Sequence, residues 1–279
     1  MNRKITFFLK NMHNNINNYK NVLKKLKNCC TIKLVPQLLQ SNKRNNCIIE
    51  NGKKTDEGGI GMLYSSDRKL ALSGWLKENN IQEYNASLKF QKFLFFYESF
   101  SKTFGDKCEF DRLGGWERGP VFSKVWGDYT KERESFDRRA ELMYKKYINN
   151  IDILRAKKCA FLVQTLSEIE LSELTHKMNI WNAKSESILN GDQGVILSEE
   201  DFNEDDINII KLLDKMYSKE LIENSVVIQI NNYSFVFSKT DAKKLTEKHQ
   251  DILAKLSEKT YLNNPVYVEI DEEGRLMVD

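Results

Sequence analysis

The stretch SLKFQKFLFFYESFSKTFG, residues 87–105, constrains the fold more than any other part of the chain. Phe90, Phe93, Leu94, Tyr97, Phe100 and Phe104 recur at helical spacing. Phe95 and Phe96 widen the apolar stripe beyond one face, and a helix apolar on most sides belongs at the centre of a core. Ser87 reads as its N-cap and Gly105 as the residue just past its end.

The segments around it read as further helices. The pattern predicts one at Asp67–Lys77, with Leu70, Leu72 and Trp75 inside, and a charged one in ESFDRRAELMYKKYINN. NIDILRAKKCAFLVQTLSEIE reads as a buried helix with Ile153, Leu154, Cys159 or Phe161, Leu162 and Leu166 inward. LSELTHKMNIW reads as a short helix capped by Ser172. From residue 196 the character changes. SEEDFNEDDINIIKLLDKMYSKELI is an acid-led amphipathic helix, and VVIQINNYSFVF is a hairpin whose Asn231-Asn232 pair suits a type I′ turn. TDAKKLTEKHQDILAKLSEK is a helix with Leu245, His249, Ile252, Leu253 and Leu256 on one stripe, and PVYVEIDEEGRLMVD is a second hairpin turning near Glu273-Gly274. The expected organisation is a tail at 1–61, a helical domain at 62–195 and a C-terminal α+β extension at 196–279 of two β-hairpins and two helices.

Charge separates the tail from the rest. Residues 1–61 hold twelve Lys/Arg and three acids, a net +9, so a chain of net +3 leaves −6 on residues 62–279. The tail also carries twelve asparagines. It reads as a disordered tail, as a nucleic-acid arm, or as a translated leader; a helix at Ile16–Leu26 is conceivable. The leader reading rests on codons. Glu57-Gly58-Gly59 can be written GAA-GGA-GGN, a bacterial ribosome-binding sequence just upstream of Met62, which would make Met62 the native start. Without the tail the protein is acidic and a DNA-binding role loses its main support. No apolar run approaches the ~18 residues of a membrane helix or the about 7–15 of a signal peptide. Five unevenly spaced cysteines without C-x-x-C, and three scattered histidines, form neither a disulfide framework nor a zinc pattern. The expectation is a cytoplasmic protein that needs no metal or cofactor and touches no membrane.

The segment GGWERGPVFSKVW, residues 114–126, concentrates two of the four tryptophans, three glycines and a proline. Gly114 to Gly119 has Walker-loop spacing, but Pro120-Val121 stand where Lys-Ser/Thr is required, and Glu117 would repel a phosphate. The segment reads instead as a rigid turn. Gly119-Pro120 bend the chain and start the helix PVFSKVWGDY, and Val121, Phe122 and Val125 anchor it to the aromatic helix. Trp116 suits either packing or contact, and Glu117 and Arg118 are candidates for a surface that a partner touches. His176 with Glu173 one turn away is the remaining acid–base pair, with no Ser or Cys nucleophile in a recognisable motif beside it.

Three blocks in order, SLKFQKFLFFYESF, GGWERGPVFSKVW and LSELTHKMNIW, resemble those of the Panacea domain, the SocA-like antitoxin family, over about Ala86–Lys184. Arg118 stands where that pattern commonly has an aromatic. The resemblance implies a mainly α, Panacea-type helical domain without enzymatic activity, found in bacteria and phages. It implies an antitoxin that neutralises a cognate toxin by direct binding, with delivery to a Clp-type protease in some members. Partner-binding candidates are Trp116, Glu117, Arg118, Gly119, Pro120, His176 and Trp181. Three alternatives stay open: a phage- or plasmid-encoded protein that inhibits a host defence or metabolic factor; a DNA-binding autorepressor using FDRRAELMYKKY; and an enzyme using His176 or Glu173.

Overall fold

A computed structural model describes residues 62–258 and 262–278. The tail, its conceivable helix at Ile16–Leu26 and the proposed leader boundary's upstream side lie outside the described residues, as do Cys29, Cys30 and Cys47.

The helical part runs α1 (Asp67–Asn79), α2 (Ile81–Asn85), α3 (Ser87–Thr103), a hairpin of β1 (Leu113–Trp116) and β2 (Gly119–Phe122), α4 (Ser123–Lys131), α5 (Arg133–Tyr147), α6 (Ile153–Thr165), α7 (Glu168–His176), α8 (Asn179–Asn182) and α9 (Ser185–Leu189). The aromatic helix α3 is central: Phe90, Phe93, Phe95, Phe96 and Phe100 are all buried, from every side of the helix. At roughly 2 kcal/mol per buried side chain, this one helix supplies a large share of the folding drive. Ser87 is its first helical residue, not its cap; Ala86 holds the cap position and makes no side-chain bond. Gly105, at φ +77°, ends the helix as expected, with its N–H on the Lys102 carbonyl and that of Asp106 on the Ser101 carbonyl.

Entry to the fold is tied down early. Asp128, buried in α4, accepts hydrogen bonds from Tyr64 N, Ser65 N and Ser65 Oγ at 2.8, 2.7 and 2.6 Å. Within α3, Glu98 is fully buried and accepts from Arg68 Nε and Nη2, the Lys69 amine and the Glu109 backbone N–H. Lys69 also sits 4.1 Å over the Phe122 ring, so this charged cluster braces the hairpin as well as the helices.

Several sequence expectations are corrected. Ile153 and Leu154 lie at the exposed start of α6, whereas Cys159, Leu162 and Leu166 are buried as expected. Burial pushes the Cys159 thiol up, which suits a packed, inert side chain. The cap of α7 is Ser167, whose hydroxyl and the Glu170 carboxylate form a reciprocal capping box; Ser172 lies inside the helix.

The C-terminal part contains α10 (Glu204–Met216), α11 (Lys219–Asn224), β3 (Ser225–Ile230), β4 (Tyr233–Ser238), α12 (Lys239–Ala242), α13 (Glu247–Ser257), β5 (Val266–Ile270) and β6 (Leu276–Val278). Four helices thus stand where two are expected. The segment read as one helix from Thr240 breaks because Thr246 and His249 form a second capping box. Both hairpins form, but β4 and β5 pair in parallel and merge them into one four-stranded sheet, β3-β4-β5-β6. The turn at Asn231-Asn232 has positive φ at Asn231 alone, not at both central residues as a type I′ turn requires. One sheet face carries Phe235, Phe237, Val266 and Val268 against Leu253 of α13; the other presents Val236, Val227 and Tyr267 to the helical core. No described helix is long and apolar enough to cross a membrane.

Candidate functional site

The residues of GGWERGPVFSKVW form a β-hairpin, with Leu113 opposite Phe122 and Trp116 opposite Gly119. Pro120 is therefore a strand residue and does not open a helix; α4 begins at Ser123. Two four-residue strands tolerate Pro120 because the β2 edge pairs with no further strand: the Phe122 N–H goes to Gln91 Oε1 of α3 at 2.9 Å. The β1 edge is covered by the segment 195–197. There Gly115 N donates to the Val195 carbonyl at 2.8 Å and Leu197 N to the Leu113 carbonyl at 2.9 Å.

Leu113 and Phe122 are buried against the core, whereas Val121 is half-buried. Glu117 and Arg118 make the turn. Gly119 beside them has φ +101°, a conformation that glycine favours and that spares the two turn residues a positive φ. A Cβ at Gly119 would lie 2.2 Å from Lys92 Nζ and 2.4 Å from Thr175 Oγ1, so α3 and α7 close directly on the glycine.

The candidate residues divide by depth. Trp116 (42 % exposed), Glu117 and Arg118 are at the surface. Trp116 packs edge-on against Trp126 at 5.6 Å. Arg118 meets Glu168 at 2.8 Å across open surface, a contact worth at most about 1 kcal/mol. The Glu117 carboxylate has no partner among the described residues. Gly119, Pro120 and Trp181 are buried beneath, and His176 is half-buried. Trp181 Nε1 donates to the Trp116 carbonyl at 2.9 Å, and its ring stacks on His176 at 3.9 Å and 19°. Ser172 Oγ donates to the Arg118 carbonyl at 3.2 Å. Three blocks far apart in the chain thus meet at one turn: α3 below, the hairpin above, α7 and α8 at the side.

Lys92 of α3 belongs to the same place and was not among the candidates. It is 1 % exposed, with Nζ 3.5 Å from the Pro120 carbonyl and no carboxylate partner among the described residues. Burial, reinforced by Arg118, drives its amine well below the ordinary lysine value. The signal was present: a lysine in the middle of a helix apolar on all sides has no solvated face to reach. His176 is held below the ordinary imidazole value by burial and by Lys92, against a contact with the Glu117 backbone that favours the charged ring. His176 Nε2 and Gln91 Nε2 are buried without a partner among the described residues.

Glu173 is exposed and makes no hydrogen bond to His176, so the acid–base pair considered from spacing is not assembled. On α5, Arg133 pairs with Asp137 at 2.9 Å, Arg138 with Glu134 at 3.0 Å and Arg139 with Asp67 at 3.8 Å, whereas Lys145 and Lys146 make no ion pair among the described residues. Two cavities of about 290 and 360 Å³ lie elsewhere and include none of the candidate residues. No protein-family model matches the chain, and no curated protein or solved structure matches it.

Proposed function

We propose that this chain is an antitoxin that neutralises a cognate toxin by direct protein–protein binding through the Trp116–Glu117–Arg118 turn. The observation that carries the reading is the support beneath that turn: the Trp181 indole holds the Trp116 carbonyl, and the ring behind it stacks on His176. Residues of the three blocks that resemble the Panacea domain are joined there. A convex turn presenting exposed Trp and Arg over rigid backing suits recognition of a macromolecule, because these residue types most often anchor interfaces. The net −6 on residues 62–279 favours a basic partner and a fast encounter with it. Delivery of the bound toxin to a Clp-type protease is the further step that the resemblance implies.

The test is genetic. The product of an adjoining gene is expected to arrest growth when expressed alone and to be tolerated when this chain is co-expressed. If co-expression never restores growth with any adjoining gene, the reading falls. The surface itself has a sharper test. Glu117→Ala with Arg118→Ala is expected to change stability by no more than about 1 kcal/mol, since both side chains are exposed and the exposed Arg118–Glu168 pair is all they lose. The same double variant is expected to weaken toxin binding roughly 10–100-fold, measured by calorimetry. Unaltered affinity would assign the turn to architecture alone.

A further inference from the structure

We propose that Lys92 is a proton-sensitive latch on the hairpin turn: its amine holds the Gly119–Pro120 segment in place only while uncharged, and protonation releases the turn. The geometry makes the latch. Lys92 Nζ reaches the Pro120 carbonyl from inside the core, and Gly119 is packed so closely over it that a single Cβ would collide with the amine. A cation formed there has no counter-ion to meet. The charged or titratable groups that face it are Arg118 from the turn and His176 from α7, both basic, and Lys89 lies one turn earlier on α3 itself. On α7, Glu168 already pairs with Arg118. Burying an unpaired ammonium is far more costly than moving a two-residue turn out of the way. The turn is the part of the enclosure that lies at the surface: Trp116, Glu117 and Arg118 are exposed, and hydrogen bonds to Trp181 and Ser172 and the exposed Arg118–Glu168 pair tie them down.

The direction with pH follows. The unfolded chain protonates Lys92 as pH falls through its ordinary 10.5, while the closed fold resists doing so. The closed turn is therefore most stable at alkaline pH and loses stability as pH falls below 10.5. His176, itself held below 6.5, adds a second step in more acidic solution. Latch and antitoxin reading are separable, because the latch is read without a partner.

Fluorine NMR of the full chain labelled with 5-fluorotryptophan resolves the four tryptophans. Between pH 10 and 5, the Trp116 and Trp181 signals are expected to shift together in two steps while Trp75 stays fixed. In Lys92→Met the upper step disappears, and in His176→Gln the lower one does. Lys92→Met is also expected to raise Tm at neutral pH and to lose that advantage above pH 10.5, as for any buried unpaired lysine; the loss of the upper step in the Trp116 and Trp181 signals is what distinguishes a latch. Far-UV circular dichroism on the same samples separates a released turn from global unfolding. The latch is overturned if Lys92→Met keeps both steps, if the wild-type signals stay flat, or if the turn and the whole fold melt together.

Discussion

Glu98→Gln is expected to cost the fold about 3–5 kcal/mol, the range for removing one partner of a buried ion pair. Among the described residues, Glu98 is the carboxylate that pairs directly with both Arg68 and Lys69, and its side chain is wholly buried; the Glu109 carboxylate acts on the two cations only through its field. Glutamine preserves the shape but removes the carboxylate that both cations touch, and Lys69, with a side chain only 6 % exposed, keeps Glu109 alone as a nearby negative charge. For a domain of this size the loss corresponds to a fall in Tm of roughly 10 °C, measurable by thermal or urea unfolding. Because Lys69 also lies over the Phe122 ring, the hairpin should loosen with it, and the Trp116 signal should broaden before the main transition. A change below about 1 kcal/mol would mean that the cluster is solvated or redundant.

Gly119→Ala is the second large effect, and it acts on the site directly. Alanine at φ +101° is strained by roughly 1–3 kcal/mol. Its Cβ must also displace Thr175 Oγ1, 2.4 Å away, and the Lys92 amine. The turn cannot stay where Trp181 holds it, so on the proposed antitoxin reading affinity for the toxin is expected to fall by more than tenfold with the rest of the helical core intact. Combining Gly119→Ala with Lys92→Ala removes one of the two collisions but not the backbone strain. The pair should therefore show coupling without full recovery, which a double-mutant cycle measures. Stability of Gly119→Ala within 0.5 kcal/mol of the parent would show that the backbone can relax there.

Long-period patterns made the helical frame legible, and short-range competition hid the rest. The repeat of Phe90, Phe93, Tyr97 and Phe100 identifies α3, and the added Phe95 and Phe96 identify it as central. Strands β1 and β2 are four residues each, and Gly114, Gly115, Gly119 and Pro120 carry no alternation, so Gly-Pro read as the start of a helix. In LSEIELSELTH two serines compete for the cap; Ser167 prevails because Glu170 completes its box. A similar local choice at Thr246 splits the predicted C-terminal helix. The parallel pairing of β4 with β5 is a long-range event that hairpin signals cannot encode. At the site, Trp116, Glu117 and Arg118 were legible as an unusual loop, whereas Lys92 reads as one more surface charge until the helix around it is seen to have no surface.

The sealed edges of the hairpin decide how recognition there can evolve. One edge is taken by residues 195–197 and the other lies on α3, so no visiting chain can extend this sheet by backbone pairing. Backbone pairing is indifferent to sequence; what remains at the turn is side-chain identity. Changes at residues 116–118 therefore alter what the turn presents while the scaffold beneath it stays untouched, so on the proposed antitoxin reading the choice of partner is separable from the fold.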